Sequence, residues 1–151
     1  MHIARSRDPY LFLSHEEKTR VVQAIQAAER ATSGEIRLHL ERKIPGDPLA
    51  HARSIFEHIG MTKTAARNGV LILLGVASHR VVILGDQGIH ECVPERFWDS
   101  VMEAMIRHFQ HDAFADGLVE GIGLIGSRLC AVFPCQRDDL NELPDEISYS
   151  R

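Results

Sequence analysis

Seven consecutive uncharged residues, Val70 to Val76, constrain this chain more than any other feature. They are aliphatic, β-branched or glycine, and they do not alternate with polar residues, so they read as a strand covered on both faces. Ala77, Ser78 and His79 make a compact turn, and Arg80 to Leu84 runs back as a partner strand. A hairpin sets the start of its first strand beside the end of its second. Asn68, just ahead of the first strand, and Asp86, just past the second, are therefore expected on one edge of a sheet.

Around this hairpin the sequence spells out further elements. Ser14-His15-Glu16-Glu17 is a capping box that opens a helix with Val21, Val22, Ile25 and Ala28 on its inner face. Glu35 to Glu41 alternates strictly, which predicts a strand with Ile36, Leu38 and Leu40 on a dry face and Arg37, His39 and Glu41 on a wet or thinly covered one. Asp47-Pro48 opens a second helix, with Leu49, Ala52, Ile55, Phe56 and Ile59 as its stripe. Ile89 to Val93 is expected to add a short strand. Pro94 opens a third helix, and Asp112 is expected to cap a fourth. In the fourth, Gly117, Gly121, Gly123 and Gly126 imply close backbone packing against the sheet.

The connection from Glu41 to Gly69 has the length of a parallel crossover. The fold class is α/β: a three-layer α/β/α sandwich on a small mixed sheet of three or four strands, with about four helices. The domain is expected over residues 12–133. From Pro134 the chain becomes polar and acidic, and residues 134–151 are expected to form a surface-draped or disordered tail.

At 151 residues, with 44% hydrophobic and 25% charged residues, the chain suits one soluble domain. A net charge of −4 gives no basic footprint for nucleic acid. No apolar run is long enough for a membrane span, and the polar N-terminus lacks the core of a signal peptide. Cys92, Cys130 and Cys135 are odd in number and lack CxxC spacing, which points to reduced thiols and a cytoplasmic location.

The starts of the first two strands and the end of the third share one edge. It brings together Glu35, Asp86, Glu91 and Glu95 as carboxylates and Asn68 and Gln87 as amides, with Lys63, Arg67 and His90 as cations or a switchable base. Clustered hard oxygens beside glycines suit Ca²⁺ or Mg²⁺, and the predicted ligand set is Glu35, Asn68, Asp86, Glu91 and Glu95. Lys63, Arg67, Gln87 and His90 complete the pocket. Polar turns also cap the strand ends of any α/β protein, and Asp-Gln-Gly is ordinary turn chemistry.

Several motifs in register then resemble the TPM-domain family. They are Leu13-Ser14 with Glu17, Thr32-Ser33-Gly34-Glu35-Ile36, Arg67-Asn68-Gly69-Val70-Leu71-Ile72, Arg80-Val81-Val82-Ile83, Gly88-Ile89, and Phe114-Ala115-Asp116-Gly117-Leu118. The resemblance covers about Phe12 to Phe133 and implies the same α/β/α fold. It also implies a choice of activities, since thylakoid-lumen members were assigned an acid phosphatase activity, while others bind Ca²⁺ or act as accessory factors. The chain departs from the family where Gln87-Gly88-Ile89-His90 replaces Gly-Tyr-Gly-Leu-Glu and Pro94-Glu95 replaces Thr-Asp. An imidazole at His90 weakens a hard-cation site at that position. The expected function is a non-enzymatic, divalent-cation-sensitive binding or accessory module with a protein partner and no nucleic acid or membrane. The alternative is a weak metal-dependent phosphatase, with Arg67 or Lys63 steadying the phosphoryl oxygens.

Overall fold

Val70 to Leu74 lies at the centre of the molecule, fully buried on both sides. A computed structural model describes residues 5–135 and 147–150. The order is α1 (Pro9–Phe12), α2 (His15–Arg30), β1 (Glu35–Glu41), α3 (Pro48–His58), a 3₁₀ turn at Met61–Lys63, β2 (Gly69–Gly75), β3 (Arg80–Gly85), α4 (Gln87–His90), α5 (Glu95–Phe109), α6 (Phe114–Val132) and β4 (Ser148–Ser150). The sheet runs β3-β2-β1-β4. Strands β1 and β2 are parallel, as the crossover length requires, and β3 returns antiparallel to β2.

The pleat of β2 divides the interior in two. Val70, Ile72 and Leu74 point into the larger core, built with α2, α5 and α6. Leu71 and Leu73 point into the smaller one, with Ala52, Ile55 and Phe56 of α3. That is the three-layer arrangement. Burying the five aliphatic side chains of this strand contributes on the order of 10 kcal/mol gross, at ~1.5–3 kcal/mol each.

The helix starts follow their caps. Ser14 accepts from the Glu17 amide while the Glu17 carboxylate accepts from the Ser14 amide, a complete capping box. Asp47 accepts from the Ala50 amide, with Pro48 in the first turn of α3. The fourth large helix differs from expectation. Its N-cap is Ala113, without a side-chain cap, because Asp112 adopts a left-handed φ of 58° and its carbonyl accepts from Arg5.

The glycines of α6 do mark close packing, but against helices rather than the sheet. A Cβ on Gly117 would lie 2.7 Å from the Phe109 ring and one on Gly121 2.6 Å from Met105 Sδ, both on α5. One on Gly126 would lie 2.6 Å from Ala28 of α2.

Two expectations are corrected. Ile89 to Val93 is not a strand: Asp86 caps the short helix α4, and a turn follows it. Cys92 is exposed there. The polar face of β1 is not wet either, since all seven of its residues are buried. It is covered by α3, where His51 Nε2 lies 2.6 Å from Glu41 Oε2, and by β4, which pairs with β1. Part of the expected tail therefore completes the sheet, while residues 136–146 lie outside the described residues.

Candidate functional site

The register of the hairpin builds one polar edge. Glu35 pairs with Gly69 and Val70 with Gly85, so the residues flanking these pairs meet where β1 and β2 begin and β3 ends. The Glu35 amide donates to the Asn68 carbonyl at 3.4 Å, and the Asp86 amide donates to the Gly69 carbonyl at 2.9 Å. Asn68 and Asp86 share an edge, as the sequence requires.

Arg67 and Asp86 form an ion pair on this edge. Arg67 Nε and Nη2 donate to Asp86 Oδ2 and Oδ1 at 2.7 and 2.8 Å, a bidentate fork on a buried carboxylate. Oδ1 also accepts from the Gln87 amide at 2.7 Å, starting α4. The hydrogen bonds to Asp86 push the guanidinium pKa up and keep Arg67 charged. Arg67 adopts a left-handed φ of 51°, and its carbonyl accepts from the Gly88 amide at 2.9 Å. Gly88 passes so close to this backbone that a Cβ there would lie 2.4 Å from the Ala66 carbonyl oxygen.

Asn68 is 1% exposed. Its backbone amide donates to Thr64 Oγ1 at 3.2 Å, and its side-chain Nδ2 reaches Ser33 Oγ at 3.4 Å. Its Oδ1 is buried and has no hydrogen-bond partner among the described residues. Such an acceptor costs about 1–3 kcal/mol. Thr64 and Ser33 were not among the predicted site residues. A hydroxyl four residues ahead of a pre-strand asparagine is the only signal for Thr64, and it is a weak one.

Glu35, 4% exposed, begins β1 on the face shared by Arg37, His39 and Glu41. The remaining predicted residues stand apart from the buried group. Lys63, Gln87, His90, Glu91 and Glu95 are all exposed. His90 and Glu95 border a separate groove of about 630 Å³ that follows β3 between α3 and α5. Among the described residues, no three His, Cys, Asp or Glu side chains stand close enough to share a metal ion. The five predicted ligands thus reduce to Glu35, Asn68 and Asp86 on one rim.

A cage of six to eight protein oxygens, as a tight Ca²⁺ site requires, is not what these three residues supply. They suit a cation that keeps much of its water and takes one or two carboxylates, the habit of Mg²⁺. Asn68 Oδ1 is the acceptor open to it, while both oxygens of Asp86 are engaged.

Fold and rim together define a small α/β domain with polar groups gathered at the edge where the parallel strands begin. The TPM-domain family model matches residues 6–128, and the chain belongs to that family. Among solved structures it is similar to the BA42 protein of the psychrophilic bacterium Bizionia argentinensis, at 42% identity and a TM-score of 0.87, covering 92% of this chain and 96% of that one. The N-terminal domain of a P. gingivalis protein shares the fold at 23% identity and a TM-score of 0.59, covering 80% of this chain and 78% of that one. The N-terminal domain of the cg2496 protein of Corynebacterium glutamicum shares it at 14% identity and 0.61, covering 92% and 80%. No curated protein matches the chain. Among the described residues, no helix is long and apolar enough to cross a membrane.

Proposed function

We propose that this chain is a non-enzymatic binding or accessory module of the cytoplasm that engages a protein partner through the Asn68–Asp86 edge and senses divalent cations there. The observation that carries this reading is the buried, unpartnered Oδ1 of Asn68, on the same rim as the buried carboxylates of Glu35 and Asp86. A hydrated Mg²⁺ or Ca²⁺ would satisfy that acceptor and draw on Glu35, with water completing its shell. It would also compete with Arg67 for Asp86, and so loosen or reset the loop from Thr64 to Gly69. That coupling lets a cation alter the surface offered to a partner without any bond being made or broken in a substrate. A phosphatase would need a free nucleophile or a metal-held water, and here the Asp86 carboxylate is already held by Arg67.

The test is thermal melting with and without millimolar Mg²⁺ or Ca²⁺, paired with p-nitrophenyl phosphate turnover. The expected result is a higher melting temperature with one of the cations, a smaller rise in Asp86→Asn, and no turnover. No rise with either cation would sink the cation-sensing reading. Turnover lost in Asp86→Asn would replace it with the phosphatase.

A further inference from the structure

We propose that the opposite end of the sheet carries an anion site that takes a small, multiply charged oxyanion of the phosphate class. A pocket of about 280 Å³ there is lined by Arg7, Arg42, Lys43 and Arg80 with Ile44, Ala77 and Ser78. Among the described residues, four cations line it and no carboxylate does, in a chain whose net charge is −4. Among the described residues, none of the four makes an ion pair, although Arg5, Arg20 and Arg67 all do. Four like charges without counterions repel one another, and a bound polyanion removes that cost.

The fold builds this pocket from three backbone segments. Arg42 and Lys43 follow β1 directly, and the Val76 and Ala77 amides donate to the Glu41 and Arg42 carbonyls at 2.7 and 2.9 Å, tying that segment to the hairpin turn. Arg80 opens β3 immediately after His79, which has a left-handed φ of 57°. The N-terminal segment is drawn in by Phe12, whose ring lies 5.9 Å from His79 and 4.9 Å from Phe114, and Arg5 Nη1 is anchored on the Phe12 carbonyl at 2.9 Å. Arg7 is thereby delivered from a third direction.

Three guanidinium forks and one ammonium match tetrahedral oxyanions, which accept paired N–H donors. The Ser78 hydroxyl, which donates to the Gly75 carbonyl at a long 3.5 Å, can turn to add a neutral donor. Size selects among anions: the pocket lies just below the range of roughly 300–1,000 Å³ that encloses whole drug-sized ligands. It suits an inorganic di- or triphosphate, or the phosphate end of a larger molecule. The site lies at the far end of the strands from Asn68 and Asp86, and it is independent of the function proposed above.

Calorimetric titration of the full chain with pyrophosphate, and separately with inorganic phosphate, tests the proposal. Saturable binding of pyrophosphate is expected, tighter than that of phosphate and weakened by added sodium chloride. Arg42→Ala and Arg80→Ala should each weaken it on the order of tenfold, whereas Arg53→Ala, an exposed arginine outside the pocket, should leave it unchanged. Amide shifts on titration should centre on Arg42, Lys43, Ser78 and Arg80. All three substitutions are at exposed positions, and matching melting curves would confirm that the variants fold. No saturable binding at millimolar pyrophosphate overturns the site, as does equal binding by the Arg42 and Arg80 variants. Binding to phosphatidylserine vesicles that pyrophosphate does not displace would make this face a membrane-docking surface and also overturn it.

Discussion

Replacing Gly88 with alanine should cost about 3 kcal/mol or more, a large loss for a single methyl group. The new Cβ would lie 2.4 Å from the Ala66 carbonyl oxygen and 2.7 Å from that of Arg67. Both are backbone atoms, so no side chain can swing away. The clash must be relieved by moving either α4 or the Ala66–Arg67 segment. Either shift breaks the hydrogen bond from the Gly88 amide to the Arg67 carbonyl and misplaces the guanidinium fork on Asp86. The loss should therefore exceed that from Gly85→Ala, whose Cβ would first meet side-chain atoms of Ile89 rather than backbone. Gly123→Ala provides the opposite control. It lies within α6 with nothing within 4 Å of the added Cβ, and should gain up to about 1 kcal/mol from helix propensity. Urea denaturation of the three variants checks the order. A Gly88→Ala protein as stable as wild type would mean that the Ala66–Arg67 segment does not press on α4, and the bidentate pair would lose its support.

The contrast among these glycines shows what could be read in the sequence. Uninterrupted apolar residues from Val70 to Val76 and a three-residue turn were enough to place the hairpin, its antiparallel sense and the shared edge of Asn68 and Asp86, because pleat and register follow from local geometry. The parallel crossover was legible for the same reason, through its length. Features made by distant segments were not legible. Gly88 in Asp-Gln-Gly reads as an ordinary turn residue, and only the approach of Ala66, twenty-two positions earlier, makes it sterically special. Glu91 and Glu95 read as members of the acidic rim because they follow closely on the end of β3, which shares that edge. Once Asp86 caps a helix there, both side chains lie exposed and Glu95 borders the β3 groove. The alternation of β1 is plain in the sequence, but part of the cover on its polar face comes from β4, more than a hundred residues later, alongside that from α3.

That cover gives His39 the steepest pH dependence expected of this fold. The imidazole is 2% exposed, with Nδ1 2.7 Å from Ser148 Oγ and Nε2 2.8 Å from Ser150 Oγ, so both ring nitrogens are engaged by β4. Burial first, and then the charges of Arg37 and the nearby His51 and His58, together push its pKa down to about 4. Ser148 and Ser150 face the two ring nitrogens, Arg37, His51 and His58 add positive charge nearby, and the one carboxylate on this face two residues away, Glu41, is engaged by His51. An unfolded chain takes up this proton near pH 6.5, while the folded one resists until about pH 4. The stability contributed by neutral His39 is therefore complete above pH 6.5 and drains away as pH falls toward 4. At 1.36 kcal/mol per pKa unit, the loss over that window is about 3 kcal/mol. Urea denaturation of wild type and His39→Gln between pH 7 and pH 4 separates this group from the other titrating residues. Glutamine keeps hydrogen-bonding capacity toward the serines but cannot take up the proton, so its stability should fall much less steeply across the window. Hydrogen exchange adds the structural half of the test, since the β4 amides should lose protection in acid before those of β2. Equal slopes in the two proteins would mean that His39 is already solvated and that β4 does not seal the face of β1.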